Sequence, residues 1–324
     1  MIGSRLAGFV FIAIFGLSAS AVLASDYPSK PIRLIAPYPA GGTTDILARA
    51  IGNDLSKVLG QPIIVDNRAG AGGLVGHDMA AKADPDGYTL VLGNSAMLAV
   101  SVSLFPNMPY NPVKDFAPIT EAAAGALVLV VKPSLPVKSV QELIALAKAK
   151  PDKLNAGLSA IGSMHHMTTD QIRVKTGVQW TNVPYKGSAP MLVDLLSGQT
   201  DFAFDNIPSA LPYIKSNQLR AIAVSSPTRT ELLPDVPTLK ESGLPDVEAV
   251  AWHGVLAPAK TPRPIIDRLN AEIVKILKSP EMKKRLASLG LDPVANTPEE
   301  FQKFIESENV KWAKIAKETN AKPQ

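Results

Sequence analysis

The chain has 324 residues, 46% of them apolar, and contains no cysteine. The apolar content excludes a disordered chain, and a fold without disulfides must depend on a hydrophobic core, which a chain of this length can build. The formal net charge is +4 and the basic residues are scattered, which excludes the basic block of a nucleic-acid-binding protein.

The first 24 residues have the pattern of a secretory signal peptide. Arg5 supplies a positive charge, an apolar run from 6 to 17 follows, and small residues lead to a predicted cleavage site after Ala24, with Ala21 as the second choice. The apolar run is short for a membrane span of about 20 residues, and no positive cluster follows it. We therefore expect a cleaved signal peptide over 1–24 and a mature protein in the periplasm, without the N-terminal cysteine of a lipoprotein.

Strand and helix patterns alternate along the rest of the chain, which predicts an α/β fold built on parallel sheets. The first strand is predicted from Ile32 to Pro37, and a helix with apolar residues at helical spacing follows from Ile46 to Leu59. Further strands are predicted over 62–65, 88–92, 128–131, 153–159, 202–204, 220–224 and 250–256.

Helix starts are predicted where a hydroxyl side chain precedes an apolar run. Ser139 and Glu142 form a capping box, and Ser188 is predicted to cap a helix that ends at Gly198. A long surface connection is predicted over 226–247. The three terminal helices are predicted to begin at Thr261-Pro262, Ser279-Pro280 and Thr297-Pro298.

The order of these elements indicates two lobes. The terminal helices must pack on a sheet, and the sheet predicted for the first part of the chain has too few helices of its own to cover it. We therefore expect the chain to leave one lobe near residue 128 and to return near residue 250. Two crossings make a hinge around a cleft, which is the usual architecture for enclosing a solute. The predicted lobes are 25–128 with 249–324, and 129–248.

A glycine-rich loop at 37–45 is the first candidate binding site. Gly41 and Gly42 let backbone N–H groups approach a ligand closely, and the helix start beyond them presents unpaired donors and a positive dipole end. Thr43 and Thr44 add hydroxyl donors. The loop therefore favours a carboxylate or another anion, and plain helix capping by Thr44 or Asp45 is the alternative.

A second loop, at 157–163, also joins a predicted strand to a predicted helix. It misses the G-x-S-x-G elbow of serine hydrolases because Ile161 stands where the last glycine belongs. His165 and His166 follow too closely to copy the usual chain order of a catalytic triad. A secreted hydrolase that uses Ser159 is therefore the remote alternative, and a second anion site rich in donors is favoured.

No pattern in the chain predicts a cofactor or a metal. The glycines at 70–76 resemble a dinucleotide fingerprint, but 66–69 intervene between strand and loop. The four histidines form no H-x-x-x-H pair, and no cysteine is available as a zinc ligand. Lys186 and Asp205 are polar residues at or beyond strand ends, where ligands of open α/β sheets bind. A solvated lysine and a turn cap are the alternatives.

Several stretches of sequence are distinctive in combination: PYPAGGTTD at 37–45, PDGYTLVLGNS at 85–95, VPYKGSAPMLVDLLSGQTDFAFDN at 183–206, PDVPTLKESGLP at 234–245 and APAKTP at 257–262. Together they resemble the substrate-binding proteins of tripartite tricarboxylate transporters, the Bug or TctC type. The resemblance covers essentially the whole mature chain. It implies a type II periplasmic binding protein fold, an α/β fold of two lobes joined by two crossing strands.

The same resemblance implies the ligand and its site. Members of the family bind small organic acids, with one carboxylate held by the first loop and by the corresponding loop of the second lobe. With Tyr38 and His166, which neighbour these loops, the predicted site residues are Tyr38, Pro39, Ala40, Gly41, Gly42, Thr43, Asp45, Ser95, Ser159, Ala160, Gly162, Ser163, His166, Tyr185, Lys186, Gly187 and Asp205.

The resemblance also implies the partners. These are a small carboxylate ligand and the membrane permease subunits of a tripartite tricarboxylate-type transporter, with a ligand-presenting sensor for a membrane receptor as the alternative. We expect a monomer that binds no nucleic acid, uses no cofactor and catalyses no reaction.

Overall fold

The computed structural model describes residues 27–105 and 107–319, so the predicted signal peptide lies outside the described residues. The strands are β1 (Ile32–Ala36), β2 (Ile63–Asn67), β3 (Thr89–Asn94), β4 (Phe116–Val131), β5 (Asn155–Leu158), β6 (Thr181–Pro184), β7 (Phe202–Asn206), β8 (Arg220–Val224), β9 (Val250–Pro258) and β10 (Asp292–Pro293). The helices are α1 (Thr43–Leu59), α2 (Leu74–Ala81), α3 (Ser101–Leu104), α4 (Val140–Ala149), α5 (Met164–Thr176), α6 (Ser188–Ser197), α7 (Ile207–Lys215), α8 (Arg263–Lys278), α9 (Pro280–Ser288) and α10 (Pro298–Thr319). A π-helical turn at Ala96–Val100 leads into α3.

The first lobe is built on a sheet with the strand order β2-β1-β3-β9-β4. β1 is parallel to β2 and β3, and the long return strand β9 lies antiparallel between β3 and β4. The apolar stripe of α1, with Leu47, Ile51 and Leu55, packs with Ile32 of β1 and Leu269 of α8 in one buried cluster. This packing is the reason for the helical spacing that predicts α1.

The second lobe is built on the last residues of β4 and on strands β5 to β8. In β4, residues 127–131 pair antiparallel with β7 and residues 128–131 pair antiparallel with β8, while β7, β5 and β6 run parallel to one another. Trp180 and Phe202 pack edge to face in its core, with ring centroids 5.0 Å apart. Parallel strands joined by helices confirm the predicted α/β fold class.

Two segments of chain cross between the lobes. β4 pairs with β9 as far as Ala126, with β7 from Leu127 onward and with β8 from Val128 onward. Beside this change of partner, Ser225 Oγ donates to the Ala249 carbonyl at 2.5 Å and accepts from Leu127 N at 2.9 Å. One hydroxyl therefore ties the outgoing and the returning segment together. The residue limits of the lobes, 25–128 with 249–324 and 129–248, stay a prediction.

Two of the three predicted N-caps of the terminal helices are present in the structure, and the one predicted for α8 is not. Ser279 accepts from Met282 N at 3.2 Å and Thr297 accepts from Glu300 N at 3.2 Å, so both predicted caps are confirmed. The predicted cap at Thr261 is wrong, because its hydroxyl donates back to the Pro258 carbonyl at 2.8 Å and the next residue is the N-cap of α8.

The segment 226–247 contains no helix, as predicted, and makes one isolated bridge between Val224 and Thr238. It is more than a surface connection, because Leu239, Leu244 and Val247 are buried. Among the described residues, none of the helices has the length and apolarity that crossing a bilayer requires.

Candidate functional site

A cavity lies where the loops after β1, β3, β5, β6 and β7 meet, at the carboxyl ends of these strands. Both lobes line it. The predicted site residues that reach it from the first lobe are Tyr38, Pro39, Gly42, Thr43 and Ser95, and those from the second lobe are Ser159, Ser163 and Gly187. The fold thus brings the two glycine-rich loops of the sequence together.

Four helices begin at this cavity. Thr43 opens α1, Met164 opens α5, Ser188 opens α6 and Asn206 is the N-cap of α7, and all four residues line the cavity. The N-caps of α1, α6 and α7 make no side-chain hydrogen bond to their own helices. First-turn N–H groups therefore remain for a ligand, and the helix dipoles favour a negative charge.

Asp45 supports the first loop from behind the cavity lining. Its carboxylate accepts hydrogen bonds from Gly41 N at 3.0 Å, Asn67 Nδ2 at 3.0 Å and Arg49 Nε at 3.1 Å. Burial would raise the pKa of Asp45, but the hydrogen bonds from Arg49, Gly41 and Asn67 outweigh it and lower that pKa. The ionised carboxylate fixes the loop that presents Gly42 to the cavity.

The second lobe contributes a polar cluster made of Ser159, His165, Asp205 and Ser188. His165 Nδ1 lies 2.5 Å from Ser159 Oγ, and its Nε2 lies 3.8 Å from Asp205 Oδ1. Ser188 Oγ donates to the same Asp205 oxygen at 2.5 Å. Ser159, His165 and Ser188 line the cavity, whereas Asp205 is fully buried behind Ser188.

Burial sets the protonation of these groups. It raises the pKa of Asp205 to about 7, although hydrogen bonds from Ser188 and the Asn206 backbone act in the opposite direction. Burial lowers the pKa of His165 to about 4, and it lowers the pKa of His253, which lines the same cavity from β9, to about 4. At neutral pH both histidines are uncharged, and Asp205 is near the midpoint of its titration.

The lobes touch each other beside the cavity. Thr43 Oγ1 lies 3.0 Å from Ser209 Oγ of α7. Gly187 faces Pro39 so closely that a Cβ on this glycine would lie 3.1 Å from Pro39 Cδ. Its φ of 126° also disfavours any side chain. The cleft is therefore closed in this structure.

The remaining predicted residues do not line the cavity. His166 Nε2 lies 3.2 Å from Asp170 Oδ2, and its Nδ1 accepts from Gly162 N at 3.1 Å, so this histidine fixes the second loop from behind. Tyr185 donates to an aspartate of α6 at 2.8 Å, and Lys186 is exposed. The predicted residues outside the lining are Ala40, Gly41, Asp45, Ala160, Gly162, His166, Tyr185, Lys186 and Asp205, and their function as ligand contacts stays a prediction.

Sequence reasoning missed several polar residues of the lining. Asn94 and Asn206 end β3 and β7, and their position at the carboxyl end of a strand was an available signal. His253 gives no such signal, because it lies inside the largely apolar strand β9. The missed polar residues are Asn94, His165, Ser188, Asn206 and His253.

Among the residues that the structure describes, no lysine or arginine lines the cavity. In the part of the chain that the structure describes, no three His, Asp or Glu side chains are grouped to hold a metal ion. An anion in this cavity is therefore held by backbone N–H groups, hydroxyls, amides and neutral imidazoles.

Two α/β lobes with two crossings, closed over a cavity rich in hydrogen-bond donors, define a protein of the periplasmic binding class. The chain belongs to the tripartite tricarboxylate transporter family receptors, whose family model matches residues 47–321. It is 42% identical to Protein BugT of Bordetella pertussis, over 97% of this chain and 96% of that protein. The predicted family is confirmed.

Solved structures of related proteins share the fold. An R. palustris protein solved with adipate has a TM-score of 0.90 at 37% identity and covers 92% of this chain and 100% of its own. MatC from Rhodopseudomonas palustris with bound malate has a TM-score of 0.85 at 32% identity, covering 89% of this chain and 99% of its own. These similarities confirm the predicted periplasmic binding protein fold.

Proposed function

We propose that this chain is a periplasmic solute-binding protein that captures a small organic acid between its lobes and delivers it to the permease subunits of a tripartite tricarboxylate-type transporter. The observation that carries the proposal is the convergence of four helix N-termini on one cavity. Such a site favours a carboxylate. Membership of the receptor family supports delivery to a transporter, and the adipate and malate bound to two relatives support an organic acid.

The cavity supports a ligand of small size. In the closed structure its volume is about 50 Å³, and residues of both lobes enclose it. A small organic acid is the ligand class that the closed cleft supports.

The polar cluster supports binding rather than bond cleavage. The contact between Ser159 and His165 is the feature that would favour a serine hydrolase. A triad requires an acid hydrogen-bonded to the other ring nitrogen. That nitrogen lies 3.8 Å from Asp205, beyond hydrogen-bonding distance, and the carboxylate accepts from Ser188 instead. We therefore infer that the protein holds its ligand without reaction.

Titration calorimetry tests the proposal with malate, adipate and the uncharged diamide of each acid. We expect at least one diacid to bind with micromolar or tighter affinity, and each diamide to bind at least about 100-fold more weakly. The physical reason is that helix N-termini and hydroxyls stabilise a carboxylate far better than a neutral amide. Equal binding of acid and diamide would contradict the carboxylate proposal.

A further inference from the structure

A buried acid lies next to the position proposed for the ligand carboxylate. Asp205 is fully buried, and its Oδ2 has no hydrogen-bond partner among the described residues. Its Oδ1 accepts a hydrogen bond from the hydroxyl of Ser188, a residue that lines the cavity. One hydroxyl group therefore stands between Asp205 and a ligand bound at the start of α6.

The surroundings offer little positive charge to this acid. On α5, His165 approaches Asp205, while His166 faces Asp170, which also pairs with Arg173. From β9, His253 lines the same cavity as His165, and burial keeps both of these imidazoles neutral at pH 7.

The described residues of the other elements around β7 add no cation to the cavity. Lys186, just before α6, is exposed and does not line the cavity. Asp194 of α6 accepts a hydrogen bond from Tyr185, and Tyr38 of the first lobe donates to an asparagine that ends β3. Two ionised carboxylates separated by one hydroxyl in such a site repel each other strongly.

We propose that Asp205 is a positioning residue that holds a proton whenever a carboxylate is bound at Ser188, so that ligand binding takes up a proton wherever ligand-free Asp205 is ionised. This inference rests on the proposed function. The protonated carboxyl keeps Oδ1 as the acceptor for Ser188 and carries the proton on Oδ2, so Ser188 stays in place without a second negative charge. The ligand raises the pKa of Asp205 further above its ligand-free value of about 7, because the two negative charges repel.

Calorimetry on the whole protein with malate and adipate, which stay ionised above pH 6.5, measures this linkage. We expect the affinity of the wild-type protein to fall at least about fivefold between pH 6.5 and pH 8.5, since ionised Asp205 must first bind a proton. Binding heats in phosphate and in Tris at pH 7.5 should differ by the ionisation heat of about 0.5 to 0.8 proton, because about a quarter of Asp205 already holds its proton at that pH. Equal affinities with no proton uptake would overturn the inference.

Asp205→Asn separates this proton from other titrations. The amide keeps an acceptor for Ser188 but carries no charge at any pH. We expect the variant to bind malate or adipate at least about fivefold more tightly than the wild type at pH 8.5. Its affinities at pH 6.5 and pH 8.5 should differ by no more than about twofold, and its binding should take up no proton. A wild-type pH profile in this variant would overturn the inference. Asp201→Asn, which removes a carboxylate at the opposite end of β7, should keep the wild-type profile.

The inference and the proposed function fail in different ways. Binding of neither acid at either pH would contradict the proposed function. Binding of an acid with equal affinity at both pH values and without proton uptake would overturn the inference and leave the proposed function standing. The carbon-13 shift of the Asp205 carboxyl in the ligand-free protein tests the premise separately, because an ordinary titration below about pH 5 would overturn the inference.

Discussion

The surroundings of the Asp205 carboxyl group depend on where helix α6 begins. The sequence predicts that Ser188 caps α6, but the N-cap is Gly187 and Ser188 is the first helical residue. Its hydroxyl is therefore available to Asp205. The family resemblance predicts Asp205 as a site residue, but spacing and composition do not reveal that it lies behind Ser188. That arrangement depends on how α6 packs over β7, which is a tertiary contact.

We expect Asp205→Asn to change the pH dependence of folding stability without any ligand. Because the pKa of Asp205 is raised from 3.8 to about 7, the folded state keeps a proton that the unfolded state releases between these values. Asp205 therefore contributes stability that is fully present below about pH 4 and is lost as the pH rises through about 7. Urea unfolding at pH 4.5 and pH 8 should show the variant gaining stability relative to the wild type at pH 8. Parallel pH profiles would contradict this assignment.

Helix starts decide the electrostatics of the cavity. The sequence predicts the anion-binding character of the first loop, because glycines and a helix start are visible in one short segment. It places the start of α1 three residues late, at Ile46 instead of Thr43, because its apolar period begins there. The convergence of α6 and α7 on the same point was not predictable, since it depends on which strands become neighbours in the second sheet.

Two serine caps allow the electrostatic and structural effects of a helix start to be separated. Ser163 accepts from His166 N at the start of α5, and Ser279 accepts from Met282 N at the start of α9, away from the cavity. We expect either serine-to-alanine change to lower the free energy of unfolding by about 1 kcal/mol, the usual cost of a lost cap.

Only Ser163→Ala should also weaken binding of the acid, by at least about threefold, because this residue lines the cavity. Urea unfolding and calorimetry on both variants measure the two effects. Equal weakening of binding by Ser279→Ala would show that general destabilisation, and not the cavity, is responsible.

The two-lobed architecture was predictable from the alternation of strands and helices and from the terminal helices that lacked a sheet. What the sequence did not reveal is that β4 is one strand of 16 residues shared by both sheets. The pattern predicted only its later part, because 122–131 is a continuous apolar run and 128–131 is rich in β-branched residues. The first part pairs with β9, more than a hundred residues later in the chain, and such long-range pairing leaves no local pattern.

The hydrogen bond between Thr43 and Ser209 joins the lobes in the closed state, and Ser209 does not line the cavity. We expect Ser209→Ala to favour the open state and to weaken binding of the acid about two- to tenfold, the equivalent of one hydrogen bond of about 0.5–1.5 kcal/mol. X-ray scattering should show a larger radius of gyration without ligand. Ser216→Ala, at the exposed end of the same helix, should change neither quantity, and an unchanged Ser209→Ala would contradict the assignment.

The contact between Pro39 and Gly187 also provides a way to observe ligand capture optically. Ala40 and Lys186, the neighbours of these two residues, are both exposed and belong to opposite lobes. Because the chain has no cysteine, cysteines introduced at these two positions would be the only thiols available for labelling. Pyrene groups attached there would form an excimer when the loops meet and emit separately when they part. The same closure that encloses the acid thus makes the protein a template for a fluorescent sensor of its own ligand.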